Sequence, residues 1–81
     1  MIGGAVYLLT FKNMKAYYVN NNEQSNGDHE VHESGCSYMP KPENRTFLGS
    51  FINCKYAINE AKKYYDDVDG CYYCCPDCHT S

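Results

Sequence analysis

An 81-residue chain with six cysteines, nine tyrosines, no tryptophan and a formal charge of −3 supports one small domain whose core is supplemented by staples. An acidic balance excludes a protein that grips nucleic acid mainly by neutralising phosphates, which needs a basic face; Lys12, Lys15, Lys41, Arg45, Lys62 and Lys63 offer at most local contacts. No run approaches the roughly 20 apolar residues of a membrane-spanning helix, so no membrane association is expected.

The opening stretch, "MIGGAVYLLTF", has the apolar character of a signal-peptide centre. It lacks a preceding basic residue and a following small-residue cleavage site. Residues 1–13 are therefore read as an N-terminal extension or an extra strand, with Met14 as an alternative natural start. Residues 14–81 are read as a single domain. The absence of a convincing secretory signal places the expected location in the cytoplasm, and makes the Asn44-Arg45-Thr46 sequon accidental.

"KAYYVNNN" has the aromatic and β-branched content of a strand, ended by a polar run whose Asn26-Gly27-Asp28 forms a turn. "HEVHE" alternates, so His29 and Val31 face one way while Glu30 and His32 face the other, and a hairpin across the Asn/Gly loop follows. Ser34-Gly35-Cys36 makes a second turn, and "YMPKPEN" an irregular loop. "RTFLGSF" supplies a third strand over Arg45–Gly49. Ser50 then caps a helix over Phe51–Tyr65, with Phe51, Cys54, Ile58, Ala61 and Tyr65 on its apolar face. Cys54 is read there as a small buried hydrophobe. The tyrosine pairs at 17–18, 64–65 and 72–73 are each expected to pack one ring inward and expose the other. "DDVDG" lacks the ligand order and closing glutamate of a calcium loop and reads as a solvated helix stop. The fold class is thus α+β, with a short antiparallel sheet of two or three strands, one main helix and a C-terminal cysteine-rich knuckle.

That knuckle, "GCYYCCPDCH", holds four of the six cysteines. Three disulfides would be the usual reading for a small secreted chain. Crowded neighbours pair poorly with one another, however, only Cys36 and Cys54 lie outside to receive them, and cytosolic thiols stay reduced. A metal accounts for the pattern better. Zinc takes four N or S donors, usually as two short-spaced pairs from distant parts of a chain. One pair is Cys71/Cys74; a remote pair, His32/Cys36, lies in "HEVHESGC". A shifted register, drawing on Cys75, Cys78 and His79, is the alternative. One Zn²⁺ is preferred over iron because an N/S tetrahedron containing histidine suits it.

With these residues placed, the chain resembles the zinc-binding N-terminal domain of the Ada DNA-repair protein. Its pattern has a first ligand pair, an asparagine-containing loop, a strand, a helix, a glycine and then CxxCxPD. Here His32-Glu-Ser-Gly-Cys36, Asn44, "TFLGSF", Ala57, Ala61, Gly70, Cys71, Cys74, Pro76 and Asp77 stand in that order over about residues 29–78. The resemblance implies a zinc scaffold with His32, Cys36, Cys71 and Cys74 as ligands. His32 stands where the family has its methyl-accepting cysteine, so the repair activity is not implied. A second likeness, carried by EVH…C…DGC..C…CH, is to small stand-alone bacterial Cys/His-rich proteins and supplies no mechanism.

The function expected is a structural-zinc module that binds another macromolecule, a protein before a nucleic acid, without catalysis of its own. A nucleic-acid reader like the Ada domain, using Arg45, Lys62 and Lys63, is one alternative. A thiol enzyme or redox sensor, in which His79 lowers the pKa of Cys78, is the other.

Overall fold

The computed structural model describes residues 13–80. The expectation of an N-terminal extension or extra strand over residues 1–13 therefore lies outside the described residues except at Asn13. Among the described residues, four strands, one helix and two single 3₁₀ turns follow in the order β1 (Lys15–Asn20), β2 (His29–Glu33), a 3₁₀ turn (Pro42–Asn44), β3 (Arg45–Phe51), α1 (Cys54–Ala61), β4 (Val68–Gly70) and a 3₁₀ turn (Pro76–Cys78). The α+β class holds. The sheet has four strands in the order β3-β1-β2-β4, with β4 parallel to β2 and the other pairs antiparallel. That corrects the expectation of two or three antiparallel strands. The missed strand is the last three residues of "DDVDG": Val68, Asp69 and Gly70 pair with His29, Glu30 and Val31. A three-residue strand is too short to show alternation, and its acids read as solvated because a carboxylate is rarely buried.

Strand β3 runs past Gly49 instead of stopping there. Tyr17 pairs with Gly49 and Tyr18 with Phe47, so Leu48 is the extra residue of a β-bulge. Gly49 adopts a φ of +128° at this point, a conformation that favours glycine. The bulge sends Leu48 into the core and leaves Phe47 outside, packed on Tyr18 at 5.3 Å between ring centroids. Because Phe51 still pairs with Lys15, the helix begins later than Ser50 would place it. Asn53 is the cap, its side-chain oxygen accepting from Lys55 N–H at 2.9 Å. The helix ends at Ala61, and turns carry the chain to Tyr64.

The core is small and lies between α1 and one face of the sheet. Tyr17, Val19, Val31 and Leu48 come from the strands, and Cys54, Ala57 and Ala61 from the helix. Ala57 and Ala61 are fully buried; side chains this small let the helix backbone approach the sheet closely. Fully burying Val19 and Val31 contributes roughly 1.5–3 kcal/mol each, a modest supply for a chain of this length. Tyr17 is inside and Tyr18 half-buried, Tyr65 half-buried and Tyr64 exposed, as the paired-tyrosine expectation has it; Tyr72 and Tyr73 depart from it by both being exposed.

A covalent staple supplements this core. Cys54, the first residue of α1, forms a disulfide with Cys78, with Cα atoms 6.3 Å apart and a sequence separation of 24. Cys54 is buried on the apolar helix face as expected, but it is not an unbonded hydrophobe. In the chain-entropy account a loop of this length stabilises by about 3 kcal/mol. Among the described residues, no helix is long and apolar enough to cross a membrane.

Candidate metal centre

The site is assembled by the parallel pairing of β2 with β4. His32 stands near the end of β2, opposite Tyr18 of β1. The chain turns immediately after this strand: Gly35 takes a φ of +91° and Cys36 N–H donates to Glu33 O at 3.1 Å. This returns the Cys36 thiol toward His32. On the other side, Cys71 N–H donates to Val31 O at 2.9 Å, extending the β2–β4 ladder by one residue and delivering Cys71 beside the end of β2. The Cys71-Tyr72-Tyr73-Cys74 turn closes with Cys75 N–H donating to Cys71 O at 2.9 Å.

Gly70 makes this packing possible. A Cβ at that position would lie 2.8 Å from Cys75 O and 2.8 Å from Cys78 Cβ, closer than such atoms approach without a shift of the backbone. The glycine before the knuckle is therefore a requirement of space; its φ is not in the positive region that favours glycine.

The donor atoms of His32, Cys36, Cys71 and Cys74 all lie within 4.8 Å of one another. Cys36 Sγ is 3.9 Å from Cys71 Sγ, and Cys74 Sγ is 3.9 Å from His32 Nδ1. A zinc tetrahedron with Zn–S near 2.3 Å and Zn–N near 2.0–2.1 Å has edges of about 3.5–3.8 Å, so the two 3.9 Å separations are near that length and the longest must close by up to about 1 Å. The cluster can hold a metal ion. His32 and Cys71 are buried, while Cys36 and Cys74 are half-buried.

The electrostatics point the same way. Burial pushes the His32 pKa down, which keeps the imidazole neutral and its lone pair available. Burial pushes the Cys74 thiol up, against the lowering effect of Glu33 N–H, which donates to Cys74 Sγ at 3.2 Å. A neutral thiol has little use for that donor, whereas a metal-bound thiolate does. Behind the histidine, Nε2 lies 3.5 Å from Glu30 Oε1. Among the described residues Nε2 is the buried side-chain polar atom left without a hydrogen bond. With Nδ1 toward the thiols and Nε2 toward a carboxylate, the residues have the carboxylate–histidine–metal arrangement. The donor set fits zinc in both number and chemistry.

Residues of the shifted register are not brought together. Cys78 is bonded to Cys54. Cys75 is buried in the core cluster, its thiol raised to about 11 chiefly by burial. His79 Nδ1 sits 2.9 Å from Gly70 O and 3.1 Å from Asp69 Oδ2, and Asp69 also accepts from Thr80 N–H at 2.8 Å and Thr80 Oγ1 at 3.0 Å. The "CPDC" segment thus anchors the knuckle from below: its last cysteine ties it to α1, and His79 and Thr80 tie the tail to β4.

Sequence reasoning missed the Cys54–Cys78 bond because it weighed metal against three disulfides and not a division of labour between them. Local spacing carries no signal for this pairing, because the helix begins at Cys54 only once β3 has taken Phe51. Glu30 was also passed over as a contributor, although alternation in "HEVHE" puts it on the His32 side of the strand. An open cleft of about 190 Å³ is lined by residues including Tyr17, Cys54, Cys74 and Cys75. Cys74 Sγ and Cys75 Sγ are 3.9 Å apart beside it.

Comparison with protein-family models, with curated proteins and with solved structures gives no match for this chain.

Proposed function

We propose that this chain is a structural-zinc module that works by docking another macromolecule, a protein, and performs no catalysis of its own. The observation that carries the reading is the convergence of four donor atoms from two distant segments within 4.8 Å. Four protein donors satisfy the tetrahedral preference of zinc and leave no coordination position for a substrate, which is the character of a structural site. The ion, when bound, supplies cross-linking: it joins the turn after β2 to the turn after β4. Its binding energy then becomes folding energy, which suits a core this small.

The ligand set agrees with the scaffold implied by the resemblance to the Ada N-terminal domain, and that resemblance supports the zinc reading without extending to methyl transfer. A cytoplasmic location remains part of the proposal. There the Cys54–Cys78 pair would exchange with the thiol pool while the metal protects its ligand thiols.

Cobalt substitution tests the reading. Co²⁺ added to reduced, metal-free protein should give the visible bands of a tetrahedral ion and sulfur-to-metal charge transfer scaled to three thiolates, all displaced by one equivalent of Zn²⁺. Octahedral spectra, or bands unaffected in Cys36→Ser and Cys71→Ser, would remove the site from the account.

A further inference from the structure

The metal knuckle carries an aromatic ridge on its outer surface. Tyr72 and Tyr73 are the two residues between Cys71 and Cys74, and Tyr38 follows Cys36 by two. Tyr38 and Tyr73 stack at 4.2 Å with their planes 17° apart, and Tyr72 meets Tyr73 at 5.1 Å and 88°. Tyr72 also meets the His79 ring at 5.4 Å and 77°. Three tyrosines that contact one another still expose 56%, 61% and 63% of their surface. Side chains spent only on filling the fold would be covered; these rings are held in place and left open. The perpendicular pair makes an aromatic corner on the exposed surface.

Charge in the two segments that build the site is one-sided, although Lys15 of β1 pairs with Glu33 at 3.0 Å. The site is built by residues 28–39 and 64–80, and neither segment contains a lysine or arginine. Of the chain's ten carboxylate residues, all except Glu23, Glu43 and Glu60 lie in these two segments. Asp66 and Asp67 are exposed just before edge strand β4, and Asp77 is exposed within the knuckle. Three thiolates around a divalent ion would add one further negative charge. Aromatic faces and an acidic setting both favour a cation. The chain shows the preference internally, where the Arg45 guanidinium lies 4.7 Å over the Tyr18 ring.

We infer that the Tyr38–Tyr73–Tyr72 ridge is a binding site for an arginine-bearing segment of a partner protein. A guanidinium sits against the corner of Tyr72 and Tyr73, and neighbouring basic residues follow the acidic β4 edge. The planar guanidinium stacks on aromatic faces where an ammonium cannot. Metal ligation and partner binding are then linked by position, since Cys36 and the Cys71/Cys74 pair hold the two sides of the Tyr38–Tyr73 stack. This inference rests on the proposed protein-docking reading and names the partner's chemistry.

The test uses the full chain loaded with zinc, its metal content read by elemental analysis on the same samples. A fluorescein-labelled peptide of alternating arginine and glycine, and its twin with neutral citrulline for arginine, are titrated by anisotropy at 150 mM salt. The arginine peptide should bind, and the citrulline twin at least tenfold more weakly. With each exposed ring contributing a few-fold, the double variant Tyr72→Ala/Tyr73→Ala should weaken arginine-peptide binding by about tenfold with zinc content and circular dichroism unchanged. Tyr64→Ala, on an exposed tyrosine outside the ridge, should change nothing. Equal binding of the two peptides, undiminished binding in the double variant, or no binding by zinc-loaded protein would overturn the inference. So would single-stranded oligonucleotide binding that depends on the same tyrosines, which would assign the ridge to base stacking. A sample that retains no zinc indicts the metal reading instead, so the two failures are separable.

Discussion

Glu30 Oε1 stands 3.5 Å behind His32 Nε2, on the side of the imidazole away from the cysteine thiols. Two residues apart on β2, both side chains leave the same face of the strand, so the relationship is fixed by sequence spacing and strand geometry. With a metal bound at Nδ1, a carboxylate there would accept from Nε2–H and fix the tautomer. Glu30→Ala should lower zinc affinity by about 10–100-fold, the usual cost of removing such a partner, while one ion still binds. Glu30→Gln should lie between, because an amide oxygen accepts the same bond without the charge. Competition with a chelator of known affinity measures both; unchanged affinity in Glu30→Ala would show that the carboxylate plays no part.

Zinc loading should release protons. Cysteine thiols titrate well above neutrality in their ordinary state, and Cys74 is pushed higher by burial. His32 is pushed lower by its own burial and is already deprotonated at pH 7. Loading at pH 7 therefore expels about three protons, all from thiols, and affinity rises with pH across the neutral range. At acid pH, His32 protonation adds a further competitor below its ordinary value near 6.5. Proton release into weak buffer, read with an indicator dye, gives the count. One proton or none would be incompatible with three thiolate ligands.

Gly70→Ala should damage the knuckle more than its size suggests. The new methyl group meets a backbone oxygen and the Cys78 Cβ, each at 2.8 Å, and neither belongs to the far end of a flexible chain. The expected result is a loss of about 1–3 kcal/mol in stability, as for other overpacked sites, with weaker zinc binding because Cys71 moves off the β2–β4 ladder. Thermal unfolding with and without zinc measures the two effects. Ala substitution at Gly27, which has a φ of +92° but open space around its Cβ, should cost stability through backbone strain alone and leave metal affinity intact.

The disulfide and the metal centre should be separable. Cys54→Ser/Cys78→Ser removes a cross-link over 24 residues and should cost about 3 kcal/mol, yet it leaves all four donors in place. Zinc stoichiometry should stay at one. A mild reductant reaching the open cleft beside Cys54 should have the same outcome. Loss of zinc on reduction would mean that the disulfide cysteines, and not the proposed four, organise the site.

Much of this arrangement was legible in the residues themselves. The aromatic and β-branched content of "KAYYVN" and the alternation of "HEVHE" specify β1 and β2, and the His32/Cys36 and Cys71/Cys74 spacings give the two halves of the centre. The illegible parts have physical causes. Val68–Gly70 is too short for a period-2 signal, and its strand character comes entirely from pairing with β2. Phe51 carries an apolar pattern suited to a helix, but the bulge at Leu48 lets β3 continue, and pairing with Lys15 overrides the periodicity. Tyr72 and Tyr73 looked like a pair that divides inward and outward; the tight Cys71–Cys74 turn exposes both. The partnership of Cys54 with Cys78 depends on where α1 lies across the sheet, which local spacing does not encode.

The most direct measurement is native mass spectrometry with elemental analysis on the 81-residue chain purified without added metal or chelator. The account predicts one zinc ion per chain and a polypeptide mass two hydrogens light, with the single disulfide mapped to Cys54–Cys78 and His32, Cys36, Cys71 and Cys74 protected. A metal-free protein six hydrogens light, its cysteines consumed in three disulfides, would contradict the metal centre and the function built on it.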